Sequence, residues 1–543
     1  MKAITAVPAS VKEIFQKDYL IPNFQRPYSW GKDECEKFWD DILNFYGNKE
    51  LKSEQYFFGN IVVYPSDNPE VQTRQVVDGQ QRLTTLTLLL KALFDCARTW
   101  QTLEQCLKIT DPKTGNFTSE LRVKTHVIAK DREALEEIIF DKIITNPKSN
   151  FVQNFDFFKE KINEWNKNRT ATEFDSLVSM ILDQVVILPI NCETSDDALT
   201  IFETINNRGK PLDDSDIFKA KLYGNAKNKD EFMRKWNELK DREWIFRVYM
   251  HILRAKSNDT NNEIALRKYF ETKGSKYLEN CEDVMKTLRL IHKTKTEFES
   301  NDRIISLWQI MNTYPNQYWT FPLYVFLHKY GKFNDRNNIE LKDKKKLDEF
   351  RVLMEETMRY FFLKGVAGQG GAVSVKETIY RVYSKIELGG DYLQEYKNNI
   401  SKSNVSEFNA HLEGNQLGRC YKGLVLISAY LNPRQDMKKF ADLLEDNKYD
   451  IEHILPRVWN NYDTWDEETH REDINLLGNL MPLSRKINIK ASNEFFTRKK
   501  EKYKDSDIQD ALDMLNIPSW TRERLLERNN EKISYLKEFF GVN

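Results

Sequence analysis

The run TRQVVDGQQRLTTLTLLLKALFDC, from Thr73 to Cys96, limits the fold more than any other part of the sequence. Its opening residues, Thr73 to Asp78, are short and β-branched in character, as strands are. After Asp78-Gly79 comes LTTLTLLLKALFDC, whose length and leucine density favour a buried helix. A second aromatic and β-branched run, QYFFGNIVVY from Gln55 to Tyr64, reads as another strand, and SDNPEVQ between the two has turn composition. Strand, tight turn and helix form the layout in which backbone N–H groups at a helix start hold an anion.

At 543 residues the chain exceeds one hydrophobic core, and two to four domains are expected. From about 120 to 225 the pattern is mostly helical, broken by the strand-like QVVILPINCE (184–193). From 226 to 330 it is helical and rich in aromatics and charge, with no convincing strand. GKFNDRNNIELKDKKKLDEF (331–350) is strongly charged and opens on turn residues, so a boundary is placed near it. Helical segments resume to about 435, and a second motif-dense region starts at Tyr449. The expected division is 1–225, 226–335 and 336–543, with the fold α+β and predominantly helical.

Lys and Arg (82) almost cancel Asp and Glu (83), so overall charge gives no hint of nucleic acid; phosphate affinity depends on local clusters instead. No apolar run approaches the ~20 residues a membrane helix needs. The first residues, MKAITAVPASVKEIF, lack a signal-peptide core, and a cytoplasmic protein is expected. Six scattered cysteines without a C-x-x-C pair point to reduced, buried thiols rather than disulfides or structural zinc.

Two amino-terminal stretches could form a phosphate site: IPNFQRPYSW (Ile21 to Trp30) and VVDGQQRLTTL (Val76 to Leu86). Gly79 lets the backbone approach a ligand, and the Arg82 fork suits two phosphate oxygens. Gln80 and Gln81 fall on the first turn of the helix. Asp78 either caps the helix or holds magnesium. Gln25 and Arg26 supply donors, while Tyr28 and Trp30 supply faces for stacking on a base. The plainer interpretation is a surface turn whose aromatics merely pack.

Together with YFFGNIVV and ALTIFETINNRGKPLDDSDIFKAKLY (198–223), these stretches resemble the amino-terminal domain of GmrSD-type restriction endonucleases, itself similar to the ParB/sulfiredoxin-like nucleotide-binding fold. The family's D-G-Q-Q-R signature is intact as Asp78-Gly79-Gln80-Gln81-Arg82. The resemblance implies a mixed-sheet domain that binds or hydrolyses a nucleoside triphosphate, or reads modified DNA. Asn206, Asn207 and Arg208 match the family's third block and would complete the pocket, with a loop carrying capping Asn an equal alternative.

The second constellation is YDIEHILPRVWN (449–460) with NLLGNLMPLSRKINIKASN (475–493). Metal-assisted phosphodiester cleavage needs a base for water and a hard divalent cation held by oxygen ligands. His453 can be the base, Glu452 or Asp450 offers a carboxylate, and Asn488 offers an amide oxygen. A lone histidine is more often structural than catalytic; its setting is what counts. Glu-His, then Ile-Leu-Pro, a loop, Gly-Asn-Leu and a further Asn resemble the ββα-metal (HNH) motif, and most closely the H-x-x-P carboxy-terminal domain of GmrSD-type enzymes.

That resemblance implies His453 as general base, Asn479 pinning the loop that orients it, and Glu452 with Asn488 on Mg²⁺ (or Mn²⁺). The last position, Asn488, departs from the generic histidine and suits a hard ion. Arg457, Arg485, Lys486, Lys490, Arg498, Lys499 and Lys500 form the kind of cluster that backbone phosphate contacts need, or else solvated helix faces.

GVAGQGG (365–371) follows a helical stretch and lacks the G-K-[ST] ending of a phosphate loop, so Gly365 is taken to end that helix. The expected whole is a modification-dependent, metal-dependent DNA endonuclease used against bacteriophage and governed by a nucleotide. Double-stranded, modified phage DNA and a nucleotide are its expected partners, with a homodimer left open. A nucleotide-switched DNA-binding regulator, or a nuclease acting on RNA or as a toxin, are the alternatives.

Overall fold

The computed structural model describes residues 5–23, 25–48, 54–66, 73–97, 99–194, 197–198, 201–202, 214–445, 448–460 and 465–542. The chain divides into two compact units, Met1–Trp236 and Asn237–Asn543. Of the expected three domains, the helical segment 226–335 is therefore not a unit of its own.

The first unit is built on a seven-stranded mixed sheet. Its strands are β1 (Thr5–Ala6), β2 (Ala9–Ser10), β3 (Tyr19–Ile21), β4 (Tyr56–Pro65), β5 (Arg74–Asp78), β8 (Val123–Thr125) and β9 (Val185–Asn191), while β6 (Lys108–Thr110) and β7 (Phe117–Leu121) pair separately. The order is β1-β9-β4-β5-β3-β8, with β2 also on β9. β4 runs parallel to β9 and antiparallel to β5, and β3 is parallel to both β5 and β8. The strands expected at 55–64, 73–78 and 184–193 are present. The short β6, β7 and β8 were hidden by polar, alternating sequence such as FTSELRVKT.

Alternation along the strands sends side chains to both faces of the sheet. Ile61, Val63 and Val76 join the main core, with the Gln80–Cys96 and Asn150–Asn166 helices. Val62, Tyr64 and Val77 join a smaller core on the other face, with Ile190 and Phe202. The Gln80–Cys96 helix is buried from Leu83 through Phe94 on every side, as its leucine density predicts.

The second unit is mostly helical. The boundary expected near 331–350 is absent: a small three-stranded sheet of β10 (Phe298–Glu299), β11 (Lys332–Phe333) and β12 (Ile339–Glu340) leads into the Lys344–Val366 helix. Phe350 of that helix packs on Phe326 across the expected boundary, with ring centroids 5.4 Å apart. The Lys344–Val366 helix is closed by Gly368 at φ +74° rather than by Gly365, with the Gln369 N–H returning to the Lys364 carbonyl. Gly365 is needed for space instead: a Cβ there would meet Cys420 Sγ at 2.6 Å. All six cysteines are free, five of them buried. No described helix is long and apolar enough to cross a membrane.

Near the carboxy terminus, β13 (Tyr449–His453) and β14 (Leu480–Ser484) form an antiparallel hairpin in which His453 faces Leu480. The Arg485–Ala491 helix follows β14 directly, started by the Ser484 hydroxyl accepting the Ile487 N–H.

Candidate functional site

In the amino-terminal unit, the turn between β5 and the long helix depends on two glycines. Gly79 sits at φ +89°, where a Cβ would strike Ile61 Cγ2 at 2.4 Å. Gly59, at φ +127°, lies under the Arg82 guanidinium, and a Cβ there would be 2.7 Å from Nε. Arg82 donates to the Asn60 carbonyl at 2.8 Å and stands 3.7 Å from Asp78, which also accepts from the Asn60 amide at 3.3 Å. Burial raises the Asp78 carboxyl above its ordinary range, against the pull of Arg82, the Gly79 N–H and Arg26. Gly79, not Asp78, is the helix N-cap.

The glutamines of the signature do not face a ligand. Gln80 donates to the Arg26 carbonyl at 2.7 Å. Gln81 accepts from the Ser29 and Trp30 amides at 2.9 and 3.2 Å and donates to the Pro27 carbonyl at 3.2 Å. Gln25 donates to the Val77 carbonyl at 2.9 Å. Tyr28, expected to stack on a base, is buried, bonded to Thr85 at 2.8 Å and to Asn154 at 3.0 Å. These four side chains stitch the 25–30 loop over the helix start, because buried backbone groups there need partners. Arg26 is exposed, while the Arg82 and Asp78 side chains keep 30% and 19% of their surface exposed. Asn206 and Arg208, with Asn207, lie outside the described residues.

In the carboxy-terminal unit, His453 ends β13 with its Nε2 3.2 Å from Asn475 Oδ1. With Asn475 presenting its Oδ1, Nε2 is the donor in this contact, and the ring also lies beside the Ile451 backbone carbonyl. Burial lowers the His453 pKa to about 4, assisted by the Arg457 and Lys499 charges and opposed by the Asn475 bond. The ring is therefore neutral at pH 7, the state a base requires.

Asn479 is fully buried. Its Oδ1 accepts the Leu455 N–H at 2.7 Å and its Nδ2 donates to the Leu455 and Ile474 carbonyls at 3.1 and 2.8 Å. His470 holds the same loop through Nε2, 2.8 Å from the Pro456 carbonyl. Asn488 lies on the helix after β14, partly buried.

Glu452 departs from expectation. Adjacent strand residues point to opposite faces, so it turns away from the His453 face. It is 4% exposed, accepting from Lys499 Nζ at 2.8 Å and from the Tyr503 hydroxyl at 2.6 Å. Lys499 Nζ also donates to the His453 carbonyl at 2.6 Å. Lys499 is thus a buried strut, not a phosphate contact or a solvated face. Asp450 shares the Glu452 face and pairs with Arg485 at 3.4 Å. Of the remaining cluster, Arg498 pairs with Glu494 and Lys500 holds the Ile517 carbonyl, while Arg457, Lys486 and Lys490 are exposed.

Two family models match the chain: the GmrSD restriction endonuclease N-terminal domain over residues 11–223 and the GmrSD restriction endonucleases C-terminal domain over residues 400–533. Together they cover well over half of its length. The chain belongs to the GmrSD restriction endonucleases. It is an endonuclease of the restriction type, with DNA as its substrate. No curated protein matches it.

The magnesium set expected of this GmrSD chain does not fit the observed side chains. Glu452 is spent on Lys499 and Tyr503, and Asp450 is on the wrong face for His453. Among the described residues no three His, Cys, Asp or Glu side chains group as metal ligands. Sequence reasoning also missed Asn60, Asn475 and Tyr503, and gave Lys499 a different role. Asn475 was already inside the quoted motif, but its contact with a residue 22 positions away is not visible without the fold.

Proposed function

We propose that the chain is a modification-dependent DNA endonuclease of HNH type, acting in defence against bacteriophage. The observation that carries this proposal is the His453 imidazole, held by Asn475 at the end of a hairpin that runs into a helix. In the proposed step, the imidazole takes a proton from water, and the water oxygen bonds to phosphorus. The ester P–O bond breaks, and the departing oxygen takes its proton from solvent. Arg457, Lys486 and Lys490 supply exposed charge for the backbone phosphates. A divalent cation, Mg²⁺ or Mn²⁺, belongs to the proposal as a requirement, without Glu452 among its ligands.

The amino-terminal unit is proposed to bind, and to hydrolyse, a nucleoside triphosphate through Arg26, Arg82 and Asp78. Nucleotide binding there is proposed to govern cleavage, which requires two sites and two global states. The test is incubation of pure protein with duplex DNA and with RNA, with metal or chelator, with and without nucleotide. Metal-dependent cutting of DNA that changes with nucleotide supports the proposal. Cutting of RNA alone, or cutting unaffected by chelator and nucleotide, would overturn it.

A further inference from the structure

We infer that Arg528 is a positioning residue for the His453 loop, acting through Asn479 from the last helix of the chain, Arg522–Phe540. The inference rests on the proposal that His453 is the base. Arg528 is buried and donates through Nη1 to the carbonyls of both Gly478 and Leu480, the residues on either side of Asn479. The next residue, Asn529, accepts the Gly478 N–H at 3.0 Å. Gly478 has no room for a side chain: a Cβ would lie 2.4 Å from the Leu525 carbonyl oxygen and 2.6 Å from the Asn529 nitrogen. The 478–480 turn is therefore gripped by this helix through three backbone groups.

From that turn the contacts run on to the histidine. The Asn479 carbonyl accepts the Ile454 N–H at 3.0 Å and its side chain accepts the Leu455 N–H at 2.7 Å, directly after His453. Arg528 is itself aimed by Asp510, whose Oδ2 accepts from Nη2 at 3.2 Å and from Lys532 Nζ at 2.6 Å. Lysine presents its three donors from one atom and has no planar fork, so it does not reproduce the reach of Arg528 from the two carbonyls to the Asp510 carboxylate. Lys532 touches Asp510 and the Ser428 hydroxyl but not the turn. Lys532, Arg528 and Asp510 line the same cavity of about 320 Å³. Lys532 is the natural control: the same buried carboxylate, without the contact to the catalytic loop.

The experiment compares Arg528→Lys, Arg528→Met and Lys532→Met in the full chain. Amide hydrogen exchange is followed at Ile454 and Leu455, and kcat and KM are followed for DNA cutting. In the Arg528 variants, exchange at these two amides should quicken relative to the rest of the unit. Their kcat should fall roughly 10- to 100-fold with KM little changed, the penalty of a slightly misplaced group. Lys532→Met should lower the melting temperature while leaving both readouts at wild-type values per folded molecule. Arg528→Lys serves if Arg528→Met does not fold. Equal effects of Arg528→Lys and Lys532→Met, or unchanged Leu455 exchange in Arg528→Lys, would overturn the inference. If DNA cutting survives His453→Ala, the functional proposal fails instead, and exchange still decides whether Arg528 holds the loop.

Discussion

His453 Nε2 lies 3.2 Å from Asn475 Oδ1, across the long loop that joins the two strands of the hairpin. This contact holds the orientation of the imidazole. Asn475→Ala should therefore lower kcat for DNA cutting by about 10- to 100-fold, as loss of an orienting partner does. Single-turnover cleavage by wild type and variant at equal DNA saturation checks this. An unchanged rate would remove Asn475 from the account.

The lowered pKa of His453 has a visible consequence in the pH profile. The neutral ring is the working form, and its pKa of about 4 keeps it neutral well below the range of an exposed histidine. Activity limited by this base should stay flat from pH 7 to roughly pH 5 and fall on passing pH 4. The acid limb of kcat/KM, measured by brief pH jumps, reports it. A limb near 6.5 would contradict the geometry.

Stability should respond to acid through a second buried histidine. His251 is fully buried and stacked on Phe321 at 3.8 Å, and burial lowers its pKa from 6.5 to about 4. Between those values the unfolded chain binds the proton that the folded chain refuses. Its contribution is therefore complete above 6.5 and lost as pH falls toward 4, on the order of 3 kcal/mol at the acid end. Urea denaturation of the full chain at several pH values, with and without His251→Gln, tests the sign. The variant should show the flatter dependence.

Lys499 and Glu452 form a buried ion pair with side chains 1% and 5% exposed. Lys499→Met alone leaves the carboxylate uncompensated and should cost about 3–5 kcal/mol. Lys499→Met combined with Glu452→Leu should cost less than that single change. Equilibrium unfolding of wild type, Lys499→Met, Glu452→Leu and the double variant measures the coupling, and simple additivity would contradict a direct pair.

Gln81→Leu removes the partners of Ser29 N–H, Trp30 N–H and the Pro27 carbonyl. These groups are only partly buried, so each lost hydrogen bond costs about 0.5–1.5 kcal/mol. Hydrogen exchange at Ser29 and Trp30 should quicken in this variant ahead of the β-sheet, locating the loss in the loop.

The strand–turn–helix at Thr73–Cys96 was legible because a β-branched run, Asp78-Gly79 and a leucine-dense segment each point to the same local structure. Asn479 was singled out by the motif it lies in. The roles of Gln80, Gln81 and Tyr28 were not: a polar residue at a helix start looks equally suited to a phosphate or to a neighbouring carbonyl, and only the path of the 25–30 loop decides. Lys499 was hidden for the same reason. A lysine in a charged run resembles a solvated face until the strand it touches is known. The continuity of 331–350 with the rest of its unit was masked by charge, since the apolar contacts of Phe350 come from one face of the helix only.

The most direct measurement is cutting of phage DNA with modified cytosines against its unmodified counterpart, with Mg²⁺ and nucleotide, by wild type and His453→Ala. The account predicts that wild type cuts only the modified DNA and that His453→Ala cuts neither. Equal cutting of both DNAs, or cutting that persists in His453→Ala, would contradict it.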